Sequence, residues 1–156
     1  LSKMYYLKEF EHWDRKKTAA NVQQFLTNDF PIIMSRADKQ ITDITSPQLN
    51  SIPSHTNGNS QEKKVLDHIN YVAVFLCVAD TYAHMSNDGR KYREIIKLLC
   101  LYKLDRNTVS NRLGIDTSTL DKRKVGALCE FANRFEVQKK SHEHQVDWIP
   151  NFRVPK

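Results

Sequence analysis

Glycine is scarce in this chain: four among 156 residues. None of them sits in a G-x-G-x-x-G or G-x-x-x-x-G-K loop, the arrangements that lay backbone N–H groups around a phosphate. The G-x-S-x-G nucleophile elbow and the H-E-x-x-H zinc signature are missing as well. No catalytic residue and no cofactor is expected. Cysteine is scarce too. Cys77, Cys100 and Cys129 are an odd number spaced 23 and 29 apart, which excludes a disulfide framework and any C-x-x-C device. In apolar helical surroundings such thiols act as small core hydrophobes, and a reducing, cytoplasmic compartment is the expected setting. Long apolar runs are absent. The longest, Tyr71 to Ala79, is half of the ~18 residues a bilayer crossing needs, so no membrane partner is expected. The first ten residues, LSKMYYLKEF, lack the basic flank, apolar stretch and small-residue cleavage site of a secretory leader.

What is present is charge, unevenly placed. Residues 1–89 carry 9 Lys/Arg and 10 Asp/Glu, net −1; residues 90–156 carry 15 and 8, net +7. A near-neutral front joined to a basic back suggests that the back half meets a polyanion.

The spacing of apolar residues predicts an all-α fold. In the front region, 1–38, Asp14 can cap a helix in which Thr18, Val22, Phe25, Leu26 and Phe30 recur at intervals of three and four. Pro31 is expected to stop or bend that run. Residues 39–60 form a polar linker rich in Ser, Thr and Asn, with Ile41, Ile44 and Leu49 as docking points. A structureless connection of that length inside one domain is uncommon, which favours two units. The second unit, 61–138, opens with a helix capped at Ser60 and marked on one face by Ile69, Val72, Phe75 and Ala79. SNDG at 86–89 ends it. KYREIIKLLCLYKL then predicts a helix with Tyr92, Ile95, Ile96, Leu99 and Tyr102 facing inward. A tail, 139–156, follows, with Val146, Trp148, Ile149 and Phe152 able to dock on the body or on a partner.

Function concentrates in residues 106–135, RNTVSNRLGIDTSTLDKRKVGALCEFANRF. A short helix presents Val109 and Leu113 inward, Gly114 reverses the chain, and Ile115 plugs the angle. Asp116 stands where a cap belongs. Beyond it Leu120, Ala127, Leu128, Phe131 and Phe135 form an apolar stripe, joined by the stem of Lys124. This is a helix-turn-helix pattern. Its outer face carries Thr117, Ser118, Asp121, Lys122 and Val125 in the first two turns, the part that enters a major groove. Hydroxyls and Lys122 can bond to base edges, Val125 can meet a thymine methyl, and Asp121 can accept from cytosine or orient Lys122 or Arg123. Arg106, Arg112, Arg123 and Lys124 surround the motif where phosphate contacts are expected. One such motif covers about one half-site, roughly 600–1,000 Å², so a homodimer is expected, with the front half and the helix at 61–85 as its surfaces.

The same stretch, from YREIIKLL at 92–99 to KVGALCEFANRF at 124–135, resembles the C-terminal part of the ArpU-type phage transcriptional regulators. These join a tyrosine-led helix, a sigma-region-4-like helix-turn-helix and a closing helix of the form K-x-x-A-L-x-x-F-A. NVQQFL, ITSPQL and NSQEKK in the front half are compatible, and the similarity covers residues 14–135. The resemblance implies a phage or prophage regulator of late genes. It carries the helix after Asp116 onto the DNA-reading helix, and Ala127, Leu128, Phe131 and Ala132 onto its support face. Where family members often have an aromatic residue and more arginines early in that helix, this chain has Leu120 and Asp121. Likeness to sigma region 4 adds host RNA polymerase as a further partner. The different-class alternative is a small-terminase-like packaging or other protein-interaction module.

Two features invite other chemistry. His142 and His144 flank Glu143, yet alternate residues of a helix diverge and no third ligand accompanies them, so no metal is expected. Tyr5, Tyr6, Phe10, Trp13, Phe25 and Phe30 lie in the neutral half, better suited to core or dimer contact than to base stacking.

Overall fold

The computed structural model of the chain describes residues 12–45 and 62–156. The readings on Tyr5, Tyr6, Phe10, Leu49 and the Ser60 cap fall outside them.

Asp14 opens the first helix, its carboxylate accepting from the Lys17 backbone N–H at 3.0 Å and so satisfying one of the donors that a helix start leaves unpaired. Helix α1 (Arg15–Gln24) buries Thr18, Ala19 and Val22. Over Phe25–Asp29 the helix widens into a π-type turn, and the Phe30 N–H reaches back to the Phe25 carbonyl. Helix α2 (Phe30–Ala37) continues from there with Pro31 in its first turn. The proline does not end the run, because a first-turn residue needs no N–H partner and the wide turn before it absorbs the change of register. Asp38, at φ 55°, closes α2 in the left-handed conformation. A single further turn, α3 (Thr42–Thr45), lays Ile44 into the core with Ile41 beside it.

Helix α4 (Glu62–His84) is buried at Val72, Ala73, Val74, Phe75, Cys77 and Val78. Over Val72–Val78 it is apolar on every side, as suits the middle of a fold, and α4 packs between α2 and α7. Ile69, at its outer end, is 38% exposed. After the turn at 86–91 comes α5 (Tyr92–Ile95), which opens into a second wide turn over Ile96–Leu101. That turn displaces the inward face. Leu98, Cys100 and Leu101 are buried, whereas Tyr102 is 40% exposed and shares a 2.9 Å hydrogen bond with Thr45. A strict 3.6-residue period had placed Leu99 and Tyr102 inward; Leu99 is only half-buried.

Two helices complete the frame, α6 (Arg106–Leu113) and α7 (Thr117–Lys139), followed by a tight turn at Lys140–His142 and the tail. Fold class is all-α, with no strand among the described residues and one isolated bridge between Trp13 and Pro155. The front helices and the basic half do not build separate cores. Phe25 packs on Phe135 and Phe152, at ring centroids 5.9 and 4.9 Å away, and Phe30 stacks on Phe75 at 6.1 Å. The tail docks on the body through Val146, Ile149 and Phe152, all buried. Arg153 lies over the Trp13 ring at 4.8 Å.

Candidate nucleic-acid interface

Helix α6 starts at Asp105, whose carboxylate accepts from the Thr108 N–H at 2.7 Å. It stops at Gly114, at φ 66° and ψ 32°, a conformation that costs a residue with a β-carbon. Ser110 then ties the turn: its hydroxyl donates to the Ile115 carbonyl, and the Ile115 N–H returns to the Ser110 carbonyl at 3.2 Å. Asp116 restarts the helix, accepting from the Thr119 N–H at 2.6 Å. These bonds to charged carboxylates hold Asp105 and Asp116 below the ordinary aspartate range. Two helices are thus joined by three residues, Gly114, Ile115 and the cap Asp116, with a cap on each start.

Beneath the turn the support is closed. Val109, Leu120, Ala127 and Phe131 are fully buried and Leu128 is nearly so. Leu113, Ile115 and Val125 pack half-buried against the same core. Gly126, inside α7, is buried under Tyr92, and a β-carbon there would come within 2.7 Å of the tyrosine ring carbon Cζ. A mid-helix glycine costs about 1 kcal/mol in propensity; here it is what lets α5 lie down on α7. Glu130 pins the preceding loop, accepting from the Ser86 N–H at 2.6 Å and the Ser86 hydroxyl at 2.7 Å.

Outward, the first two turns of α7 are open. Ser118, Asp121 and Lys122 are exposed and Thr117 half-exposed, none covered by the described residues of the front half. Several of the residues named from sequence, however, have partners within the chain. Arg106 grips Asp121 with two bonds, Nε to Oδ1 at 2.8 Å and a terminal nitrogen to Oδ2 at 2.7 Å, and this pairing holds the Asp121 carboxyl low. Asp121 therefore orients Arg106, neither Lys122 nor Arg123. Arg123 donates to the Gly89 carbonyl at 3.2 Å, and Lys124 is half-buried. Val125 is half-buried, with part of its surface packed on the core. Arg112 and Lys122 are exposed and without a hydrogen-bond partner among the described residues.

The Arg123–Gly89 bond brings the loop at 86–91 beside α7. Lys91, exposed at φ 57° ahead of α5, is a cation that the motif-centred reading passed over. Arg90 is less free, paired with Asp88 at 3.1 Å and lying 4.7 Å over Tyr92. The sequence signal was the R-K pair after Gly89, at the point where the charge balance turns basic.

Among the described residues no three His, Cys, Asp or Glu stand together as a metal site. His142 faces Asp80 at 3.4 Å and His144 faces Asp147 at 2.7 Å, in separate places. No helix among them is long and apolar enough to cross a membrane. No family model, curated protein or solved structure matches this chain.

Proposed function

We propose that this chain is a sequence-specific, double-stranded-DNA-binding transcriptional regulator with no catalytic role, working in the cytoplasm, and of the phage late-gene kind that its ArpU-type resemblance implies. The observation that carries the reading is the capped start of α7. Its inner side is anchored by fully buried Leu120 while Ser118 and Lys122 stand in solvent two helical positions to either side. A helix start so fixed has the three features a groove-reading element needs: a rigid axis, free N-terminal polar side chains, and nearby cations.

The division of labour follows from the partners. Ser118 and Lys122, with Thr117, offer donors to base edges. Arg112 and Lys91 are free to meet phosphates on the flanks. Arg106 and Asp121 act first as a clamp that holds the start of α6 to α7. The guanidinium keeps further N–H groups for a phosphate.

Selection of bound sequences from a random duplex pool tests this. The parent is expected to enrich one motif. Lys122→Ala relaxes preference at one position by about 1–3 kcal/mol. Arg112→Ala keeps the motif but binds all duplexes more weakly, with the slope of log affinity against log salt reduced by about 1. A pool that yields no motif for the parent contradicts the reading.

A further inference from the structure

We infer that the cleft between the α1–α2 helix and the tail is the seat of a two-fold contact between two copies of this chain. The cleft has a volume of about 540 Å³. Asp29, Ile32, Ile33 and Arg36 line one wall, at intervals that put all four on one helical stripe. Trp148 of the tail stands on the other wall, edge-on to Tyr71 at 5.9 Å and 86°. Ile32 is 53% exposed and Trp148 is 49% exposed, so two large apolar side chains are left to water in one concave place.

The charges say what covers it. Asp29 makes no ion pair among the described residues. Arg36 meets no carboxylate there; it donates to the Tyr71 hydroxyl at 2.6 Å and lies 5.3 Å over that ring. The stripe reads negative, apolar, apolar, positive. Turned end for end it reads the opposite, so it complements its own antiparallel image. About an axis beside Ile32, Asp29 of each copy faces Arg36 of the other, and the exposed Ile32 side chains meet at the centre over buried Ile33. Self-complementarity of this kind is what an isologous interface requires. A nucleic acid is a poor occupant, because the stripe has no net charge and an apolar middle.

The cleft lies near the end of α7 where Phe135 meets Phe25 and Phe152. Thr117 is about 27 Å away along the helix at 1.5 Å per residue. Pairing there leaves both reading ends uncovered. The use of the pair, presenting two helices to two half-sites, rests on the proposed DNA function; the contact itself is measured without DNA.

The experiment is sedimentation of the full chain over a wide concentration range, with circular dichroism as the check on folding. The parent is expected to dimerise. Ile32→Glu, at an exposed position, is expected to be folded and monomeric. Asp29→Arg and Arg36→Asp each place like charges across the axis and weaken the dimer roughly tenfold. Mixed in equal amounts, the two variants carry complementary ends and re-form a dimer. If Arg36→Asp unfolds through loss of its Tyr71 bond, Ile32→Glu and Asp29→Arg decide alone. A monomeric parent, a dimer indifferent to Ile32→Glu, or a mixture no tighter than its components overturns the inference. A monomer that still selects a DNA half-site refutes this contact alone; a dimer that selects no DNA refutes the DNA reading alone.

Discussion

The two ends of α7 are one continuous helix in opposite circumstances. At its start, Thr117 to Lys122, a single residue, Leu120, is buried and its neighbours are open. Toward its end, Phe131 and Phe135 stack at 5.7 Å, and Phe135 meets Phe25 and Phe152 at 5.9 and 5.2 Å. The far end is clamped by the front helices and the tail, and among the described residues the near end is held by buried Leu120, the turn at Gly114 and the Arg106–Asp121 pair. Stability and surface chemistry are therefore separated along one element. The terminal aromatics fix the axis, and the first two turns are left free to vary.

Substitutions can break that comparison in order of size. Phe135→Ala removes the shared aromatic of three contacts and is expected to cost about 3–5 kcal/mol in urea unfolding. Under conditions where it stays folded, its enriched DNA motif is unchanged. Gly126→Ala drives a methyl group into Tyr92 and is expected to cost about 1–3 kcal/mol. In a Tyr92→Ala background the same change costs less, and a double-mutant cycle measures the difference. Asp116→Ala removes a cap at the open end and is expected to lower the urea midpoint by less than either core change, with amide exchange quickened at Thr119 but not at Phe135.

Acid sharpens the contrast by the smallest amount. Asp105, Asp116 and Asp121 all titrate below the ordinary aspartate value when folded, through hydrogen bonds to Thr108, Thr119 and Arg106 respectively. Above the unfolded value, about 3.9, their contribution is fully present. As pH falls through the lower folded values it is lost, because the unfolded chain takes up protons first. All three are exposed, so the loss is modest and confined to the α6–α7 region. Urea midpoints measured against pH are expected to be flat above that range and to fall more gently in acid for Asp116→Ala than for the parent.

The near end of α7 was readable from sequence because its rules are local. Gly114, the Asp116 cap and the stripe at Leu120, Ala127, Leu128 and Phe131 need only helix geometry and the demand for first-turn acceptors. The two wide turns were not readable, since a 3.6-residue period carries no sign of a five-residue turn; this is why Tyr102 sits outside and Leu98 inside. Pairings of long side chains were hidden for a different reason. Arg106 with Asp121 and Arg123 with Gly89 depend on how three elements meet, and each side chain read alone looks free. The role of Gly126 was hidden in the same way, since Tyr92 lies on it from another helix. The polar linker suggested two units, but Phe30 on Phe75 and Phe25 on Phe135 join the front helices to the residues after the linker in one core.

The most direct test of a reading end on α7 uses the protein's own thiols as background. All three are buried; burial pushes Cys77 up to about 12 and Cys100 up to about 11, so they resist labelling at neutral pH. A DNA-cleaving reagent can then be tethered at Ser118→Cys or, at the far end of the helix, at Val137→Cys, where the native valine is 59% exposed. On the selected duplex, cleavage centred in one major groove is predicted from position 118 and none from position 137. Cleavage from 137 alone, or from neither while binding persists, would contradict the account.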